Sequence, residues 1–311
     1  MRLLVKDIWG MLKQTFSDFI DFKILRMSAA LAYYTIFSLA PMLILILGLC
    51  NLFLAKEAVE GKLFIQIKSF VGQEAALQIQ DVIKNASASG NNVLASVIGV
   101  VTLLLAATGI FTEIQDSINF IWRLKVKPKR GWLKLIVNRA LSFSMIVSLG
   151  FVLLVSLVIN ALLNFFSQTL VEMFPQTAVY LAFVMNQLLT FIVISFLFGI
   201  IFKVLPDAKI MWRDVRAGAF TTALLFMVGK FAISYYLGKS KISSSYGAAG
   251  SIIIILTWVN YSSIILYLGA AFTRAYAQYR GRNIYPSDYA VWIQQVEMEN
   301  HSSLQAQKII E

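Results

Sequence analysis

A single lysine inside a long apolar run is the residue of this chain best placed to do chemistry. Lys230 sits in Phe226-Met227-Val228-Gly229-Lys230-Phe231. An ionisable group in such surroundings is expensive to keep and points to an anionic ligand, a moving ion or a charged partner. Counted from Arg216, it lies about 14 residues, or ~21 Å, along a helix. Roughly 9 Å then remain of a ~30 Å hydrocarbon layer. The competing reading is snorkelling, in which a stem of about 6 Å carries the ammonium close to the outer interface.

Asn186 and Gln187 share this depth, and Ser156 and Ser251 fall in the same outer half. Thr222, Phe226, Lys230 and Ser234 form an i, i+4 stripe with Gly218 and Gly229 alongside. Small and polar residues on one face belong to helix contacts or cavity walls rather than to a lipid-facing surface. Tyr33, Tyr34, Thr35 and Ser38 form a second polar set with Asn260, in the inner half. The expectation is an outward-facing, partly wet pocket in which Lys230 attracts an anionic group. Asn186, Gln187, Ser234, Ser251, Tyr34 and Asn260 are the further candidates for substrate contact. Interhelical hydrogen-bond glue is the alternative for the whole set.

Other chemistry is thinly supplied. His301 is the lone histidine and lies in a polar tail, and Cys50 is the lone cysteine. One cysteine leaves neither a disulfide framework nor a cysteine metal site. No Gly-rich phosphate loop, HExxH or GxSxG occurs. Glu113 and Asp116 share a helix face and could approach a metal, but they more readily face Arg123 or Arg139. The expectation is a chain with no catalytic residues, metal or cofactor, and not an enzyme.

Six apolar stretches must position these residues: about 29–54, 92–111, 140–165, 178–202, 217–238 and 247–272. Each is long enough to cross a bilayer. The hydrophobic fraction of 59% and mean hydropathy of +0.73 leave no room for a separate soluble catalytic domain. The net charge of +11 is unevenly spread. Segments 1–28, 112–139, 203–216 and 273–311 hold twenty Lys/Arg, whereas 55–91, 166–177 and 239–246 hold six. Basic residues collect on the cytoplasmic side of short loops, so both termini are expected there. Anionic lipid headgroups are the expected partner of the basic loops, not nucleic acid. Self-association stays open.

Residues 1–28 read as a cytoplasmic amphipathic helix, with Ile8, Trp9, Leu12, Phe16, Phe19 and Ile20 at helical spacing. Pro41 should kink the first span. Segment 56–88 reads as an outer amphipathic helical cap. Leu205-Pro206-Asp207 and Tyr285-Pro286-Ser287-Asp288 read as turns, and 273–311 as a polar cytoplasmic tail. Trp132, Trp212 and Tyr276 suit an interfacial aromatic belt. The fold class is all-α: six transmembrane helices at 29–272, an interfacial N-terminal helix and the cap.

Four blocks in order then carry a resemblance. They are Ala29-Ala30-Leu31-Ala32-Tyr33-Tyr34-Thr35-Ile36-Phe37-Ser38-Leu39-Ala40-Pro41; Ala107-Thr108-Gly109-Ile110-Phe111 with Gln115-Asp116-Ser117-Ile118-Asn119 and Ile121-Trp122; Leu205-Pro206-Asp207 with Trp212-Arg213-Asp214 and Gly218; and Gly229-Lys230 with Tyr236-Leu237-Gly238, Tyr246-Gly247-Ala248-Ala249-Gly250-Ser251 and Trp258-Val259. Over residues 25–280 the chain resembles the YihY/BrkB family of bacterial inner-membrane proteins, once mislabelled as ribonuclease BN. The resemblance implies a six-span plasma-membrane protein suspected of transport or envelope lipid handling. Relatives commonly end the sixth span Gly-Ala-Glu-Phe-Thr, and here Ala271 replaces that glutamate. The leading expectation is a transporter or flippase-like protein for an anionic or amphiphilic, even lipid-linked, substrate. A non-transporting scaffold that organises envelope proteins is the alternative.

Overall fold

The computed structural model describes residues 5–51, 68, 73, 76–80, 109–127, 175–239, 249–288 and 290–294. Its helices are α1 (Val5–Asp21), α2 (Ile24–Asn51), α3 (109–121), α4 (Pro175–Val204), α5 (Trp212–Lys239) and α6 (Ala249–Tyr279). Four short strands join them: β1 (Leu124–Val126), β2 (Ala208–Lys209), β3 (Tyr285–Pro286) and β4 (Ala290–Trp292). Strand β1 pairs antiparallel with β4, and β2 with β3. Alongside the helices, the structure thus adds two small ribbons to the all-α expectation.

Helix α1 turns its apolar stripe outward. Trp9 is 71% exposed and Phe16 66%, with Ile8, Leu12 and Ile20 beside them. Its buried side holds Met11, Thr15 and Asp18. An amphipathic helix with its greasy face outward suits a bilayer interface and not a water-facing surface. Lys23, in a left-handed conformation (φ 53°), ends the helix and starts α2 at once. Helix α2 runs unbroken through Pro41.

The same inversion marks the longer helices. Val184, Leu188, Ile192 and Phe196 make one exposed i, i+4 stripe along α4, and Phe220, Leu224, Val228 and Tyr235 line the outside of α5. Among the described residues, Val184–Val204, Trp212–Lys239 and Ile252–Tyr279 are long and apolar enough to cross a membrane. Of the other expected spans, 29–54 overlaps α2 as far as Asn51, whereas 92–111, 140–165 and the cap at 56–88 fall almost wholly outside the described residues. Within the cap, 76–80 is helical and Ala76 is buried.

Small residues hold α5 against α6. Each helix carries a Gly-x-x-x-Thr step, Gly218 to Thr222 and Gly269 to Thr273. A methyl on Gly218 would overlap Thr273, and one on Gly269 would overlap Thr222. Both threonine hydroxyls donate back to the glycine carbonyl of their own step, at 2.7 Å each. The steps therefore interlock reciprocally, which brings the backbones close where lipid offers no hydrophobic drive for association. Near the other end of α5, Gly229 admits the Tyr261 ring in the same way.

The core sits where α3, α4, α5 and α6 converge, at the end that carries α1. Ile118, Ile121, Phe202, Val215, Tyr267, Ala270 and Ala271 are fully buried there. Gly218→Val should lower stability in detergent by about 1–3 kcal/mol, the usual cost of overpacking. Gly199→Ala should be tolerated, because its new methyl would meet Ala219 at an ordinary 3.9 Å. Thermal unfolding of the two purified variants separates these outcomes.

Candidate functional site

Among the described residues, the buried charged groups Asp18, Asp207, Asp214 and Arg274 gather at that same end. Pro206 shapes the turn between α4 and β2, where the Ala208 amide donates to the Pro206 carbonyl at 2.8 Å. The turn presents Asp207 to α3. Asn119 donates to the Asp207 carboxylate at 2.7 Å and accepts from the Asp207 amide at 2.9 Å. Both groups are buried, so the pair clamps α3 to the turn with each partner satisfied.

Helix α6 ends in a glycine cap. Gly281 adopts φ 68°, and the Arg282 amide reaches back to the Ala277 carbonyl at 2.9 Å. That reversal aims Arg282 at Asp214 in the first turn of α5, where the two form a forked ion pair. Beyond it, β3 and β4 tie off both neighbouring turns, and Ser287 donates its amide to the Asp207 carbonyl. Lys209 and Asp288 close the outer edge at 2.5 Å. The lysine's hydrogen bond and charge hold that carboxyl below the usual aspartate range.

Among the described residues, the most deeply buried ion pair joins α1 to α6. Asp18 accepts from Arg274 at 3.2 Å, with side chains 2% and 9% exposed. Gln14 donates to the other oxygen of the same carboxylate at 2.9 Å. The Arg274 guanidinium lies 5.4 Å from the centre of the Phe22 ring, and that of Arg123 lies 5.9 Å from it. Two cations thus share one aromatic ring and one buried anion. Beside them opens a cleft of about 320 Å³, lined by Trp122, Arg123, Arg274, Gln278, Asn283 and Trp292 among others. Arg123 holds a left-handed backbone (φ 57°) at the exit of α3.

The amino-acid sequence matches known proteins. The chain matches the Virulence factor BrkB family over residues 15–288. It belongs to that family. A UPF0761 membrane protein of Stenotrophomonas maltophilia (strain K279a) is 25% identical over 265 residues, covering 84% of this chain and 59% of that protein. The chain therefore spans about three-fifths of that relative's length. A UPF0761 membrane protein of Haemophilus influenzae (strain 86-028NP) is 24% identical, covering 81% of this chain and 89% of the relative. No solved structure matches.

The resemblance blocks of this BrkB-family chain meet in space. Asn119 from the second block bonds Asp207 from the third, and the Trp122 indole donates to the Ala270 carbonyl at 3.0 Å. Ala271 is fully buried among these residues. Sequence reasoning missed the Asp18–Arg274 pair, because Asp18 reads as part of the polar face of α1. Spacing carried no signal for a partner 256 residues away. Glu113 accepts from Ser117 one turn on, at 3.3 Å, while Arg123 lies over Phe22. Arg139 is outside the described residues.

The sequence candidates are dispersed. Lys230 is half-buried on α5, its ammonium 5.4 Å from the Phe231 ring centre. Ser234, one turn further, is also half-buried. On α4, Asn186 is exposed and Gln187 half-buried. Tyr34 is 44% exposed on α2, next to Tyr33, whose ring it meets edge-on, and Asn260 is half-buried on α6. Ser251 lies in the first turn of α6, and its side chain, like that of Pro41, is outside the described residues. Trp212 is exposed under Lys203, and Tyr276 lies under Arg280.

Burial pushes the Asp18 carboxyl above the ordinary aspartate range, with Arg274 and Gln14 pulling it partly back. The native state therefore holds this proton more tightly than the unfolded chain does. Its contribution to stability is complete below the unfolded value of 3.8 and is lost as pH rises through the raised native value. Asp18→Asn should gain on the wild type steadily from acid toward neutral pH in thermal unfolding. Arg274→Met leaves a buried carboxylate without its cation and should cost about 3–5 kcal/mol at neutral pH.

Proposed function

We propose that this BrkB-family membrane protein moves an anionic, amphiphilic substrate across the bilayer, in the manner of a flippase or transporter, with its basic end in the cytoplasm. The observation that carries the reading is Lys230, half-buried within a membrane-length helix. A cation kept at that depth offers an attractive station for a negative headgroup in transit. Ser234 continues its stripe along α5, and Asn186 and Gln187 on α4 supply polar groups at similar depth. Below them, Tyr34 and Asn260 would form the inner stage of the path.

Two further features support it. The outward apolar stripes of α4 and α5 give a lipid-linked substrate a continuous greasy flank. Helix α1 packs against α6, which carries Arg274, and its exposed Trp9 and Phe16 suit the headgroup region. A scaffold role would not need a half-buried lysine within a membrane-length helix.

Purified protein in liposomes containing fluorescent phosphatidylglycerol tests the reading. Dithionite quenching should show faster exchange between leaflets than in empty liposomes, and Lys230→Met should reduce that acceleration at least tenfold while insertion persists. No acceleration by the wild type, or an undiminished rate in Lys230→Met, would refute it.

A further inference from the structure

We infer that the cleft between the end of α6 and the β1–β4 ribbon is a binding site for a phosphate-bearing anion, separate from Lys230. Two guanidinium groups, those of Arg123 and Arg274, line it, and none of its lining residues is acidic. Asp18 engages Arg274 from the α1 side, so one carboxylate faces two cations sharing the Phe22 ring. The site keeps a net positive charge.

Its geometry is set before any ligand arrives. Arg274 is 7% exposed and fixed by both Asp18 and Phe22. Arg123 is exposed, held over Phe22 by its left-handed backbone and by the Ile293 amide, which donates to its carbonyl at 2.9 Å. A planar guanidinium with free N–H edges suits bidentate contact with phosphate oxygens. Gln278 and Asn283 add amide groups along the same wall.

The remaining wall includes two tryptophans whose donors are already satisfied, beside Ile284, Ile293 and Gln294. Trp122 donates its indole N–H to Ala270, and Trp292 donates its own to Ile284 at 2.9 Å. Both rings therefore offer faces and not donors, which suits an alcohol or acyl-glycerol portion next to the phosphate. The volume of about 320 Å³ is enough for a phosphorylated headgroup, at the small end of ligand sites. Helix α1, with its exposed apolar stripe, packs beside α6 and brings the cleft to headgroup level.

Binding of two probes to the purified full chain in neutral detergent, measured by isothermal titration calorimetry, tests the site: inorganic phosphate and short-chain dihexanoyl phosphatidylglycerol. At least one should bind. Arg123→Asn suits the left-handed backbone while removing the charge, and should weaken binding at least tenfold. Gln278→Ala should weaken it severalfold, whereas Lys125→Gln should leave it unchanged. Binding of the lipid alone would mark a headgroup site, and equal binding of phosphate would mark a site for soluble phosphorylated compounds. No binding of either probe by the wild type, or the same loss in Lys125→Gln as in Arg123→Asn, would overturn the proposal. So would unchanged binding in both Arg123→Asn and Gln278→Ala. A failure of lipid exchange with intact phosphate binding would count against Lys230 alone.

Discussion

Hydrocarbon does not press apolar helices together, because lipid tails solvate a leucine as well as a neighbouring helix does. This constraint governs the arrangement of the protein. Large apolar side chains lie outside α1, α4 and α5 as well as in the core, and glycine, threonine and buried charge join that core in holding the helices together. The reciprocal glycine–threonine steps of α5 and α6 replace the interlocking leucines of a water-soluble bundle. Where those helices reach their basic end, the work passes to polar pairs: Asn119 with Asp207, Asp214 with Arg282, and Asp18 with Arg274.

Each of these pairs joins parts of the chain far apart in sequence, and each is satisfied on both sides. A buried ion pair is a weak source of net stability, since desolvation consumes much of the Coulombic gain. Its value here is in specifying one arrangement: an α1 slipped by one residue would bury Asp18 without Arg274. The same chemistry leaves a residue of positive charge at the surface. Arg123 joins Arg274 over one aromatic ring, so a fold that neutralises most of its interior charge still presents a cationic recess beside the membrane.

Periodicity made much of this architecture legible. The apolar stretches located α4, α5 and α6, and the small-polar stripe containing Gly218 and Thr222 marked the face of α5 that packs on α6. Helix α1 was legible as amphipathic, but Asp18 looked solvent-facing because a helical wheel gives sides and no partners. The ion pair depends on Arg274, which counted only as one more basic residue beyond the last span. The ribbons were hidden for a related reason. Strands of two or three residues have no detectable alternation, and their pairing is set by the turns at Pro206 and Gly281. Lys230 was conspicuous at once, since one charge in an apolar run needs no partner to be noticed.

The ribbons also bear on how the protein is made. Strands β1 and β2 lie in segments synthesised early and midway, yet both complete their hydrogen bonding only with residues 285–292. Until that stretch leaves the ribosome, Leu124–Val126 and Ala208–Lys209 are open edges, and Asp214 lacks Arg282. The pairings that close the charged end of the bundle can therefore form only after every helix described here has been translated.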